Sequence, residues 1–240
     1  ILALVTVDAN AGGDNIVSTG SGVITASKAA DGRYAAASAT YTVQVAPAVQ
    51  VISFASAGPI AKVFGDAVFA NLVSGGAGTG AVSYSSSNVA VAAVDAATGH
   101  VSLVGAGSAV IAAYKAADGR YAAASATYTV QVAPAVQVIS FASAGPIAKV
   151  FGDAAFANLV SGGAGTGAVS YTSSNVAVAP VDANSGGVNI VGAGSAVITA
   201  YKAADGRYVA ASATYTVQVA PAVQVISFAN AGPIAKVFGD

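Results

Sequence analysis

The chain has no cysteine, no methionine, no tryptophan and only one histidine. Without cysteine there is no disulfide framework and no cysteine-built metal site. Glutamate is missing as well, so every acidic side chain is an aspartate. Charge of either sign is scarce: charged residues make up 8% of the chain, against about 25% in an ordinary soluble domain. A net charge of −1 offers no basic patch to nucleic acid or to anionic lipid. Apolar residues reach 55%. Even so, no uninterrupted run attains the roughly 18 residues of a membrane-spanning helix, because Gly, Ser, Asp or Lys breaks each stretch. The apolar excess is spread along the chain. A free monomer this poor in charge has little protection against association.

What the chain does have is repetition. The string VQVISFA-(S/N)-AGPIAKVFGD occurs three times, ending at Asp66, Asp153 and Asp240, 87 residues apart. The two full copies, beginning at Val49 and Val136, differ at about 10 positions. Solenoid periods run roughly 20–50 residues, so this period is a small domain used in tandem. Ile1 aligns with Asn88, since Asp8 sits where Asp95 and Asp182 sit. Val223–Asp240 supplies only the opening of another copy. The expected organisation is the C-terminal part of a repeat (1–46), full repeats (47–133 and 134–220) and the N-terminal part of a further one (221–240), a window on a longer polypeptide. The connector Val132-Ala-Pro-Ala-Val136 is short and contains Pro134, which favours a semi-rigid, head-to-tail rod.

Within the second copy, short β-rich runs are expected at 136–141, 148–151, 155–160, 168–172, 176–181, 188–191, 195–202 and 211–219. Turn signals separate them: Gly145-Pro146, Gly152-Asp153, the flexible-looking Ser161–Gly167, Ser173-Ser-Asn175, Asp182–Gly186, Gly192-Ala-Gly194 and Asp205-Gly206. The last run alternates: Ala213, Tyr215, Val217 and Val219 share one face, and Thr214, Thr216 and Gln218 the other. The Ala-rich stretch Tyr121–Ala126 lies between Asp118-Gly119 and Thr127-Tyr-Thr129, and so reads as the approach to a final strand. The pattern predicts an all-β chain of tandem antiparallel β-sandwiches.

Three stretches carry a family resemblance: Tyr84-Ser-Ser-Ser-Asn-Val-Ala-Val-Ala-Ala-Val-Asp95, Val104-Gly-Ala-Gly-Ser-Ala-Val-Ile111 and Tyr128-Thr-Val-Gln-Val132. Together they resemble the bacterial immunoglobulin-like repeat of the Big-2 type. Lys62–Asp66 and Asp118–Tyr121 look like the longer variant of giant repetitive surface proteins. The resemblance spans both full repeats and both fragments. It implies an immunoglobulin-like sandwich, an extracellular cell-surface setting among adhesin stalks, surface layers and fibres, and no shared catalytic residues. One departure is that the usual Trp before the Ser-Ser-Asn corner is Tyr84 and Tyr171 here.

Chemistry-bearing residues are few. His100 is replaced by Gly13 and Gly187 in the other copies and reads as a turn residue. No repeated base stands beside Ser or Asp to build a triad. Gly75–Gly80 lacks the Lys and the following helix of a phosphate loop. Asp66, Asp95, Asp118 and their copies, with the denser Asp8–Asn15 set, read as turn formers, calcium ligation being the alternative. Lys62, Asp66, Lys115, Asp118 and Arg120 are nearly all the charges of a repeat and read as surface charges. Thr127 and Thr129 form a polar strand face.

No catalytic, cofactor-binding or metal-binding residues, and hence no enzyme activity, are therefore expected. The expected function is a non-enzymatic structural segment of a long extracellular bacterial surface protein, self-associating with identical chains into a filament or sheath. The alternatives are a monomeric adhesin stalk and a carbohydrate- or ice-binding module acting through the Thr face.

Overall fold

The computed structural model describes residues 5–7, 13–229 and 232–239; Asp8 and Asp240 lie outside them. The chain divides into two units, Ile1–Pro134 and Ala135–Asp240. Every regular element among the described residues is a strand.

The first unit opens with two hairpins. In the first, β1 (Val5–Val7) pairs with β2 (Asp14–Ile16); in the second, β3 (Gly20–Lys28) pairs with β4 (Ala37–Val45). A sandwich follows, built from β5 (Ile52–Phe54), β6 (Ile60–Val63), β7 (Phe69–Ala70), β8 (Val73–Gly75), β9 (Val82–Ser86), β10 (Ala92–Val94), β11 (His100–Leu103), β12 (Gly107–Lys115) and β13 (Ala124–Ala133). One layer is the four-stranded sheet β6-β13-β12-β9. The other consists of β5-β8 and β10-β11-β7. Not every pairing is antiparallel: β6 runs parallel to β13, with Ile60 opposite Val130. The cause is local. Gly58-Pro59 interrupts the strand run between β5 and β6, so β5 pairs in one layer and β6 in the other.

The second unit repeats this plan with β14 (Ile139–Phe141), β15 (Ile147–Val150), β16 (Phe156–Ala157), β17 (Val160–Gly162), β18 (Val169–Ser173), β19 (Gly187–Val188), β20 (Gly194–Lys202) and β21 (Ala211–Ala220). Its four-stranded sheet, β15-β21-β20-β18, has the same order and the same parallel pair. Several sequence expectations fail here: of the run 188–191 only Val188 lies in a strand, and the run 155–160 divides between β16 and β17, which pair with different partners. The run 176–181 does not form a strand, although its counterpart contains β10. Pro180 stands where Ala93 pairs with Ser102, and a proline has no N–H to give to the ladder. Only the isolated Val181–Val188 bridge survives. Conversely, Ser161 and Gly162, expected in a loop, belong to β17 because Ile139 pairs across to Gly162.

Alternation decides the core. On β13 the side chains of Tyr128, Val130 and Val132 are buried, and on β12 those of Ala109, Ile111 and Ala113. They meet Ile52, Phe54, Val91, Ala92 and Val101 from the other layer. Burying Ile111 or Val130 removes apolar area worth about 2 kcal/mol each from water. The Phe54 and Tyr128 rings pack edge-on at 4.6 Å between centroids, and Tyr84 stands 6.4 Å from Phe54. Tyr171 is likewise buried, beside Phe141. A tyrosine thus fills the anchor position that carries Trp in the pattern.

The Tyr128 hydroxyl is buried without a hydrogen-bond partner, as is that of Tyr215. Burial, then the neighbouring Tyr84, pushes the Tyr128 phenol up to about 12. An orphaned buried hydroxyl costs about 1–3 kcal/mol. Tyr128→Phe keeps the ring contact and removes that cost. The expected result is a midpoint in urea equal to or above that of the parent.

Candidate functional site

One pole of each sandwich gathers a hydrogen-bonded cluster of polar side chains. The tight turn between β12 and β13 presents Asp118 Oδ1 to the backbone N–H groups of Arg120 and Tyr121, at 3.0 and 2.9 Å. Asp118 Oδ2 accepts from Thr79 N at 2.5 Å and Thr79 Oγ1 at 3.1 Å. Buried Gln50 works from the other side. Its Nε2 donates to Ala122 O at 2.7 Å, and its Oε1 accepts from Gly78 N at 3.1 Å. The glycine-rich stretch 75–80, which reads as flexible in the sequence, is therefore tied down by a carboxylate and an amide. Nothing in the sequence singles out Gln50; its only signal is a polar residue on the inward parity of Val49–Ile52. The same arrangement recurs with Asp205, Thr166 and Gln137.

Four donors hold the Asp118 carboxylate down at about 2. The Thr79 N–H contributes most, then Tyr121 and Arg120; Asp205 is held equally low, again chiefly by Thr166. The folded value lies below the ordinary aspartate value of 3.8. This contribution to stability is therefore complete above 3.8 and is lost as pH falls toward about 2. Asp95 and Asp182 are lowered too, each by a turn of its own through Thr98 and Ser185. The expected result is a melting temperature that falls across this acid window, with a shallower fall in the Asp118→Asn, Asp205→Asn chain.

The other charges also serve structure. Asp66 Oδ2 accepts from Val63 N at 3.0 Å. Lys62 lies over the Phe69 ring, Nζ 4.8 Å from its centroid, and Lys149 repeats this on Phe156 at 4.7 Å. His100 lies on β11 opposite Ala70, and its backbone carbonyl accepts from Asp95 N. Among the described residues no group of three His, Cys, Asp or Glu gathers. Of the Asp8–Asn15 set, Asp8 is outside the described residues. No helix is long and apolar enough to cross a membrane among the described residues.

These placements leave the sheet faces bare. The six charged residues of 47–133 are Lys62, Asp66, Asp95, Lys115, Asp118 and Arg120. Four lie in turns, and the two strand-borne lysines share the inward parity of Ile60 and Ala113. The outward face of β6-β13-β12-β9 carries Ala61, Val63, Ser83, Ser85, Ser108, Val110, Ala112, Tyr114, Ser125, Thr127, Thr129, Gln131 and Ala133. Thr127 and Thr129 thus flank a wider surface in which Tyr114 is 51% and Val110 40% exposed. The sheet edges are capped: Tyr84 N, on the outer side of β9, donates to Ala96 O at 2.9 Å, and Asp66 caps β6.

Connections between repeats are shorter than the sequence indicates. Ala133 O accepts from Phe64 N in the first unit, and Ala135 N donates to Arg207 O in the second. Only Pro134 lies between those bonded residues.

Residues 67–118 and 153–204 each match the family described as intimin, immunoglobulin-like domain. No curated protein matches the chain. Among solved structures, a 282-residue C-terminal fragment of intimin, bound to the intimin-binding domain of the translocated intimin receptor, is 18% identical; the match covers 68% of this chain and 61% of that one, with a TM-score of 0.27. Domains 4 and 5 of the S-layer protein SbsC are 24% identical over 65% of this chain and 80% of that one, TM-score 0.29. Human protocadherin-24 EC1-2 is 15% identical over 70% and 97%, TM-score 0.31.

Proposed function

Because the repeats are bacterial immunoglobulin-like repeats, we propose that the chain is a non-enzymatic structural segment of a long extracellular surface protein, and that it associates with identical chains into a filament or sheath. The observation that carries this reading is where the charges lie. Each full repeat keeps all its charged residues in turns or on inward strand positions, so both sheet faces are free of them. An uncharged face is cheap to desolvate, and contiguous apolar or small-residue surface of this kind marks interaction sites. Near-identical repeats let one contact recur along the chain, so strength grows with repeat number. The surface setting is supported by the match to a domain type found in intimin. Repeat boundaries at 46/47, 133/134 and 220/221 follow the sequence period.

A second reading, a monomeric stalk that holds a distal binding domain away from the cell, is favoured by the capped edges and the single-residue connector. Capped edges suppress strand-to-strand pairing, and a one-residue connector suits a spacer. Sedimentation of the purified chain across a wide concentration range separates the two. A weight-average mass that rises with concentration supports the filament; a monomer throughout supports the stalk and overturns the first reading.

A further inference from the structure

We infer that the contact between copies is made by the outward face of the four-stranded sheets β6-β13-β12-β9 and β15-β21-β20-β18, packed against the same face of a second copy, and that one repeat alone is too small to hold it. The inference rests on the self-association reading and names its surface.

Three observations select this face. First, it is the more constant of the two. Of its 13 positions in the first repeat, only Ser85 and Ala112 change in the second, to Thr172 and Thr199. These are cross-strand neighbours in both repeats, and the change brings no charge. The opposite layer varies more: Ala93, His100 and Ser102 become Pro180, Gly187 and Asn189, and β10 has no counterpart strand. Second, the face is a continuous four-stranded surface in both repeats, whereas the other layer is broken into short two- and three-stranded pieces. Third, its centre mixes exposed Tyr114 and Val110 with Ser and Thr hydroxyls, as Tyr201 and Val197 do in the second repeat. Such a surface desolvates readily and retains hydrogen-bonding capacity.

Size explains why a single repeat does not suffice. Strands of 4, 10, 9 and 5 residues, about 4.8 Å apart and rising about 3.4 Å per residue, give a face on the order of 450 Å². A stable interface takes about 800 Å² from each partner. One face falls short, and two together reach it. A second copy is the partner because the face is complementary to itself: it carries no charge, so like faces do not repel, its Ser, Thr and Tyr hydroxyls both donate and accept, and it recurs in each repeat, so strength grows with repeat number.

The test uses the whole chain. Thr127 and Thr214 are exposed at the middle of the two faces. Thr127→Lys or Thr214→Lys alone is expected to weaken association about tenfold or more, and the two together by about a hundredfold or more. High salt restores part of the loss by screening. A matched chain with Ser74→Lys and Ser161→Lys, on the opposite faces, is expected to associate as the parent does. Mixing the Thr127→Lys, Thr214→Lys chain with the Thr127→Glu, Thr214→Glu chain is expected to restore association, which a misfolded variant could not do. Loss in the Ser74, Ser161 chain with none in the Thr127, Thr214 chain overturns the choice of face and leaves self-association standing. If the single and double variants associate equally well, the two-repeat requirement falls. A parent chain that is monomeric throughout removes the self-association reading and this inference with it. A monomeric parent that Thr127→Lys and Thr214→Lys release from a neutral polysaccharide column assigns the face to glycan and overturns the second copy.

Discussion

Gly80→Ala is expected to unfold the first repeat while the second continues to melt as before. The reason is a backbone contact. Ala116 N donates to Ala81 O at 2.9 Å and so draws the start of β9 onto the end of β12. A methyl group on Gly80 would lie far inside contact distance of the Ala116 carbonyl oxygen, and Gly167 meets Ala203 O in the same way. Backbone cannot swing aside as a flexible side chain does. Relief would require pulling the glycine loop off the turn, breaking the Asp118–Thr79 and Gln50–Gly78 bonds. Destabilisation beyond about 4 kcal/mol is the mark of such a site. At roughly 0.05–0.15 kcal/mol per residue, that is a large part of the whole stability of one repeat. The contrast is Gly119, where φ is +87° but the added carbon meets open space; Gly119→Ala is expected to cost only about 1–2 kcal/mol. Calorimetry checks the pair: the Gly80→Ala chain should lose, or move far down in temperature, about half of the parent unfolding enthalpy. A Gly80→Ala chain that melts like the parent would refute the close approach.

The fold was largely legible because the repeat exposes its own rules. The alternation Ala213-Tyr215-Val217-Val219 predicts an inward face, and Tyr215, Val217 and Val219 are buried. The Asp-Gly bends fall at turns. What the sequence hides is non-local. The parallel pairing of β6 with β13 brings together residues 70 positions apart, opposite Ile60 and Val130, and no local pattern encodes it. The absence of a strand at 176–181 depends on one proline inside an otherwise strand-like run. Ser161–Gly167 reads as a loop, yet it begins in β17 and then closes under Gln137 and Asp205, whose side chains arrive from 28 and 39 residues away.

The candidate surface was half legible. The Thr face shows in the period-two pattern of the last strand. Its breadth does not, because Ser83 and Tyr114 join it only through the register of β9 on β12, where Tyr114 stands opposite Ser83. The charges could be counted from the sequence but not located. Lys62 looks like a solvated surface lysine until the sandwich places Phe69 beneath it. That inward placement is what leaves the faces uncharged, so the association reading depends on a feature of the fold that composition only foreshadows.

Context, more than local sequence, fixes strand structure here, and Phe54 and Phe228 make the case measurable. The two residues occupy the same place in the repeated string Val-Gln-Val-Ile-Ser-Phe-Ala. Phe54 is 7% exposed in β5, paired to Val73 and stacked edge-on against Tyr128. Phe228 is 89% exposed, and 221–229 forms no strand. Propensity is the same in both places; the pairing partner β8 and the facing rings are what differ. Phe54→Ala removes a buried aromatic ring and leaves a cavity, expected to cost about 3–5 kcal/mol. Phe228→Ala, in this chain, is expected to change stability by no more than about 0.5 kcal/mol. Urea unfolding of the two variants beside the parent gives the comparison. A large shift for Phe54→Ala with none for Phe228→Ala means that β8 and the core make the strand. Equal shifts would mean that Phe228 is buried in solution against a partner surface, and the most direct candidate would then be a sandwich of another copy.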